Sequence, residues 1–147
     1  MHDQYHAAET VGLELGVILL DVDKFKQYND GFGHLAGDEV LKGVARILRE
    51  AVPEPHMPAR YGGEEFVIVT VGLNETETWE LAEEVRLRLE EHDWPHREVT
   101  GSFGVAMFGP HVESRQHLID LADKALYASK EGGRNRVTLS SDLRKAA

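Results

Sequence analysis

The order of apolar and amphipathic segments predicts an α+β domain: a mixed, mainly antiparallel sheet with surrounding helices, built on a βαββαβ core. Three observations carry that expectation. Residues 15–22 form a continuous run rich in Val, Ile and Leu, the pattern of a strand covered on both faces. Residues 35–51 set Val40, Leu41, Val44, Ile47, Leu48 and Ala51 at three-and-four spacing, which is one apolar face of a helix. Gly62-Gly63 stands between two short extended pieces, Arg60-Tyr61 and Phe66-Val67-Ile68-Val69-Thr70-Val71, as in a hairpin.

The other elements follow from local signals. Residues 2–11 are expected to form a short, poorly capped helix. Residues 25–31 read as a brief helical turn that Gly31 and Gly33 interrupt. Pro53, Pro55 and Pro58 break the long helix and stiffen the loop after it. Asn74 caps a further helix, with Glu77 three residues on completing a capping box and Leu81, Ala82, Val85 and Leu89 as its apolar stripe. Residues 99–107 alternate enough to be a strand. Ser114 caps a last helix whose Leu118, Leu121, Ala122, Ala125 and Leu126 face one way, Gly132-Gly133 ends it, and residues 137–139 close as a strand.

A chain of 147 residues with 41% hydrophobic and 29% charged residues is the size and composition of one domain able to bury a core. The absence of cysteine excludes disulfides, thiolate metal sites and cysteine nucleophiles, and fits a reducing cytoplasmic setting. The apolar runs are far shorter than a membrane span, and the start lacks a signal pattern, so no membrane role is expected. A net charge of −10 argues against nucleic acid as a partner, because affinity there rests on neutralising phosphates with Lys and Arg.

Chemistry concentrates in two acidic pairs. Asp21 and Asp23 fall where the first strand leaves the core; Glu64 and Glu65 fall in the hairpin turn. Antiparallel pairing of that hairpin beside the first strand would bring the pairs together. Hard oxygen donors of this kind suit magnesium or manganese, which bind one or two carboxylates plus substrate phosphates. Each pair taken alone reads more readily as a solvated loop. The paired histidines are poorer candidates: His2/His6 lies at a terminus, and His92/His96 spans Trp94-Pro95, which interrupts a helix. No G-x-x-x-x-G-K-[ST] loop is present, and Trp79 and Trp94 read as packing residues.

Three stretches become specific in combination: Asp21-Val22-Asp23-Lys24-Phe25-Lys26-Gln27-Tyr28-Asn29-Asp30, Gly33-His34-Leu35-Ala36-Gly37-Asp38, and Arg60-Tyr61-Gly62-Gly63-Glu64-Glu65-Phe66. Downstream come Ser102-Phe103-Gly104-Val105-Ala106, then Ala122-Asp123-Lys124-Ala125-Leu126-Tyr127 with Lys130 and Gly133-Arg134-Asn135. In order and spacing, from residue 15 to residue 139, these resemble the GGDEF domain of diguanylate cyclases. The resemblance implies a ferredoxin-like, palm-type core over a single catalytic domain, residues 1–147. It implies condensation of two GTP into cyclic di-GMP with release of two pyrophosphates, by a homodimer in which each subunit holds one GTP.

Residue by residue, the resemblance implies that Asp21 and Glu64 bind magnesium or manganese with help from the Val22 carbonyl. Asn29 and Asp38 would read guanine, Phe25 and Lys26 would face the terminal phosphates, and Lys130 and Arg134 would approach from the last helix. Gly62 and Gly63 would admit sugar and phosphates close to the backbone. Glu65 joins Glu64 and Asp21 as a catalytic candidate, while Asp23 belongs to the site without a separate step.

Two departures from the family pattern bear on function. The D-x-L-T-G-L-x-N-R-R segment upstream of the first strand is not matched by the residues before Asp21, and no sensory domain is visible, which leaves control of dimerisation open. Where many members carry the product-binding R-x-x-D, this chain has Pro53-Glu54-Pro55-His56, so feedback through that loop is expected to be absent. His56 would add charge there only when protonated. The alternative of a different class is a non-catalytic GTP-binding signalling module of the same fold; a second is another palm-type nucleotidyl transferase acting on one nucleotide.

Overall fold

The apolar run at Leu15–Val22 forms strand β1, buried at every position. Its period of two sends Ile18, Leu20 and Val22 to one face of the sheet and Leu15, Val17 and Leu19 to the other. Both faces are therefore covered, which is why the sequence shows a run rather than an alternation. The computed structural model describes residues 14–146, so the helix expected over residues 2–11 lies outside the described residues.

After β1 come α1 (Phe25–Phe32), α2 (His34–Ala51), β2 (Met57–Gly62), β3 (Glu65–Val71), α3 (Glu75–Glu91), β4 (Gly101–Met107), α4 (Arg115–Glu131), β5 (Arg136–Leu139) and α5 (Ser140–Ala146). The open sheet has the order β2-β3-β1-β4-β5. Four strands are joined antiparallel, and β5 adds parallel to β4. The first four strands with α2 and α3 make the expected βαββαβ core. Helices α2 and α3 bury Val40, Val44, Leu81 and Val85 against the face carrying Ile18 and Leu20. Helix α4 covers the other face with Leu118, Ala122 and Leu126.

Capping follows the sequence signals. Asn74 and Glu77 form the reciprocal capping box of α3, and the Ser114 hydroxyl accepts from the His117 N–H at the start of α4. Helix α4 approaches the β4 backbone so closely that a Cβ on Gly104 would lie 2.2 Å from the Ala122 carbonyl oxygen and 2.3 Å from the Leu126 nitrogen. Only glycine permits that contact.

Three segments differ from expectation. Gly31 does not interrupt α1, because open space surrounds it and the helix runs on to Phe32; the break comes at Gly33, whose φ of +95° favours glycine. Pro58 lies inside β2 rather than in the preceding loop, paired with Ile68. The strand tolerates it because β2 is an edge, where a missing N–H faces away from the ladder. Helix α5 follows β5 directly and was not anticipated.

Candidate active site

The register of β1 decides the geometry. Asp21 stands opposite Glu65 on β3 and opposite Ser102 on β4, and the Val22 N–H donates to the Glu64 carbonyl at 3.2 Å. The two acidic pairs, more than forty positions apart in the chain, thus converge as expected. Cross-strand partners share a face, so Asp21 and Glu65 both look toward α4. Lys130 reaches down from α4 and forms an ion pair with the nearly buried Asp21.

Burial raises the Asp21 pKa, with Glu64 and Asp23 adding to the effect and Lys130 opposing it. Glu65 is also raised, by burial first and by the Asp21 charge second. For Lys130 burial acts downward, but the hydrogen bond and charge of Asp21, with Glu65 and Asp123, outweigh it and the net direction is up. The more buried partner, Asp21, carries the desolvation cost, and Lys130 stays a cation.

Asp21, Val22 and Glu64 open into a cleft of about 180 Å³. Phe25, Lys26, Lys130 and Arg134 line the same cleft. Among the described residues no group of three or more acidic or histidine side chains could hold a metal unaided. Two carboxylates and one carbonyl fit magnesium or manganese, since these ions retain waters and take their remaining oxygens from phosphates. Gly62 and Gly63 are open at their Cβ positions, and Gly63 takes φ +49°. The hairpin turn beside Glu64 therefore leaves its backbone bare of side chains at these two positions.

The second half of the site lies between α1 and α2. The side-chain oxygen of Asn29 is buried without a hydrogen-bond partner, and a Cβ on Gly37 would lie 1.8 Å from it. An orphaned buried acceptor, seated in the space a Gly37 side chain would fill, is a place for a donor from outside the chain. The next residue, Asp38, is exposed and lines a groove of about 450 Å³ between α2 and β2, with Leu41 and Phe66 on its floor.

The family model for the diguanylate cyclase GGDEF domain matches residues 1–136. The chain belongs to the GGDEF family. Diguanylate cyclase A of Treponema denticola is 41% identical over 132 residues, 87% of this chain and 36% of that protein. Diguanylate cyclase DosC of Escherichia coli is 42% identical over 139 residues, 91% of this chain and 30% of that protein. The chain thus spans about a third of the length of the curated relatives it matches. Among solved structures, the GGDEF domain of DgcB from Caulobacter crescentus in complex with c-di-GMP superposes with a TM-score of 0.90 at 36% identity, covering 95% of this chain and 85% of that one. The active GGEEF domain of a diguanylate cyclase from Vibrio cholerae gives 0.89 at 32% identity, covering 94% and 90%. Like that domain, this GGDEF domain carries Gly-Gly-Glu-Glu-Phe at residues 62–66.

Sequence reasoning missed three contributions inside this domain. Asp23 lines the cleft with Asp21, but its carboxylate is engaged by the chain itself, accepting from the Ser102 and Thr100 hydroxyls at 2.6 and 2.7 Å and from the Asn135 N–H at 3.0 Å. Arg60 received no role, yet its Nε and Nη2 both donate to the Gly63 carbonyl, at 2.9 and 2.6 Å, and pin the turn. Its position three residues before Gly63 was the available signal. His56 is not a surface group of the loop before the hairpin. It is buried, its Nδ1 accepts from the Val71 N–H at 3.1 Å, and burial holds its pKa below the ordinary value. Charge on His56 is therefore disfavoured where the sequence alone left it available. Among the described residues no helix is long and apolar enough to cross a membrane.

Proposed function

We propose that this domain is a diguanylate cyclase, condensing two GTP into cyclic di-GMP with loss of two pyrophosphates. The observation that carries the reading is the register that pairs Asp21 with Glu65 and so brings Asp21 and Glu64 into one cleft with Lys130 and Arg134. Phe25, which lines that cleft, also lies beside Gly37 and the unpaired Asn29 acceptor, and Asp38 follows Gly37 on α2. Membership of the GGDEF family and two relatives named diguanylate cyclase support it.

In this reading Asp38 accepts from the guanine ring N–H and exocyclic amine, while the Asn29 amide bonds the adjoining edge. Lys26, Lys130 and Arg134 balance the charge of the terminal phosphates, and Phe25 packs beside them. Asp21, Glu64 and the Val22 carbonyl would hold magnesium or manganese, which when bound supplies charge stabilisation at the reacting phosphate. Glu65 helps keep Lys130 protonated. Each 3′-oxygen forms a bond to the α-phosphorus of the other nucleotide as the bond to pyrophosphate breaks. One domain positions one GTP, so turnover needs two copies facing each other, and the GTP pool places the reaction in the cytoplasm. Residues 1–147 are taken as one catalytic unit.

The test is incubation of the chain with GTP and magnesium at several protein concentrations, with products separated by chromatography. Cyclic di-GMP formation that rises more steeply than protein concentration is expected. Tight GTP binding with no product at any concentration would favour a non-catalytic GTP-binding module.

A further inference from the structure

The turn after α4 is held in an unusual shape. Gly133, Arg134 and Asn135 have φ of +120°, +65° and +46°. Side-chain-bearing residues rarely adopt that region, and two in succession need outside support. The support is visible. The Arg134 N–H donates to the Ser129 carbonyl at 2.9 Å, and the Arg134 carbonyl accepts from Arg136 Nε at 3.1 Å. The next N–H, that of Asn135, donates to Asp23, 112 positions earlier in the chain. The Asn135 side-chain oxygen accepts from Arg86 Nη1 at 3.1 Å, and Arg86 is itself gripped by Glu83 and Glu90 on α3. Asp23 is fixed in turn by Thr100 and Ser102.

We propose that Asp23 is a positioning residue which, through the Asn135 backbone, aims Arg134 at the terminal phosphates of the nucleotide. The inference rests on the reading of Arg134 as a phosphate contact. Asp23 sits two residues beyond Asp21 on the same segment, so the carboxylate end of β1 and the cationic end of α4 are tied by one side chain. Without the tie, the turn relaxes toward negative φ and the Arg134 guanidinium leaves the cleft. Arg86 and Asn135 stiffen the same tie from α3.

The test is calorimetry of the full chain with magnesium and 3′-deoxy-GTP, which keeps base and phosphates but lacks the attacking hydroxyl, compared with GMP, which lacks the terminal phosphates. Asp23→Ala is expected to weaken 3′-deoxy-GTP binding about tenfold, the size of one charge-assisted phosphate contact, and to leave GMP binding unchanged. Arg134→Ala is expected to lose a similar factor, with the double variant losing no more than either single one. Asp23→Asn is expected to stay near the parent, since its amide oxygen can take the Asn135 N–H while its NH₂ donates to the Ser102 hydroxyl.

Should Asp23→Ala fail to fold, Asn135→Gly carries the same cycle, because glycine accepts the positive φ while losing the Arg86 pin; about a threefold loss is expected. Parent-like triphosphate binding in folded Asp23→Ala or, where that variant does not fold, in Asn135→Gly, an equal loss for GMP, or losses additive with Arg134→Ala would overturn the proposal. Parent-like binding by Arg134→Ala alone would instead overturn the phosphate reading, and this inference with it.

Discussion

Replacing Gly37 by alanine should separate base recognition from folding. The new Cβ would stand 1.8 Å from the Asn29 side-chain oxygen and 2.8 Å from its Cγ, with the Phe25 ring at 3.2 Å. Something must move, and the Asn29 amide is the mobile end of a side chain while the two helix backbones are not. Rotating that amide off its rotamer costs about 0.5–1.5 kcal/mol. Alanine in place of glycine inside α2 returns roughly 0.5–1 kcal/mol. Net stability should therefore change by less than about 1 kcal/mol, the residue of these two opposing effects. Binding should not be spared. Losing a bond between Asn29 and the guanine edge costs about 1–3 kcal/mol where it leaves a buried group unpaired, or roughly 5- to 150-fold in GTP affinity. ATP, which never satisfied that group, should lose much less, so the preference for GTP narrows. Urea unfolding and calorimetry with both nucleotides measure the two halves. A Gly37→Ala protein that keeps the parental ratio of GTP to ATP affinity refutes the role given to Asn29. One destabilised by several kcal/mol refutes the claim that only the amide moves.

Four further outcomes are expected. Glu64→Gln keeps size and hydrogen bonding but loses the charge, so folding and some GTP binding should survive while cyclic di-GMP formation drops by about two orders of magnitude or more, read by chromatography. Gly104→Ala forces β4 and α4 apart at backbone contacts that cannot rotate away, and should cost about 1–3 kcal/mol or more in urea unfolding. The His56 pKa is depressed from 6.5 by burial, so the unfolded chain takes up a proton that the native one declines. Stability present above about pH 6.5 should then be lost as pH falls. His56→Asn, whose amide oxygen can replace Nδ1 toward Val71, should flatten that fall relative to the parent, a difference that cancels the similar contribution of His111. Finally, initial rates measured with added cyclic di-GMP should show no inhibition that depends on residues 53–56, because Pro53 and Pro55 offer no donors and His56 is turned inward. Micromolar inhibition abolished by changing Pro53 or His56 would contradict this.

Much of the domain was written in local pattern. A buried central strand must be apolar at every position when both faces are covered, so residues 15–22 announced β1. Three-and-four spacing located α2, and Asn74 with Glu77 located the start of α3, because capping and amphipathicity act within a few residues. The candidate site residues were picked out as motifs for the same reason: each lies in a short stretch with a family spacing.

What the tertiary structure decided is whatever depends on partners far along the chain. Asp23 and Asn135 meet across 112 positions, and nothing in either neighbourhood distinguishes a clamp from a ligand. Pro58 reads as a breaker until β2 is known to be an edge strand. His56 reads as a surface group until its side chain is seen under the backbone of Val71. Gly37 carries no role in the sequence beyond its place in a motif until the Asn29 amide is found in the space its missing Cβ leaves. Local sequence sets which segments become strands and helices, because those hydrogen bonds and apolar faces close over short separations. The role of a polar side chain is set by whichever group the packing of distant elements brings within about 3 Å of it, and that pairing exists only once the sheet has assembled.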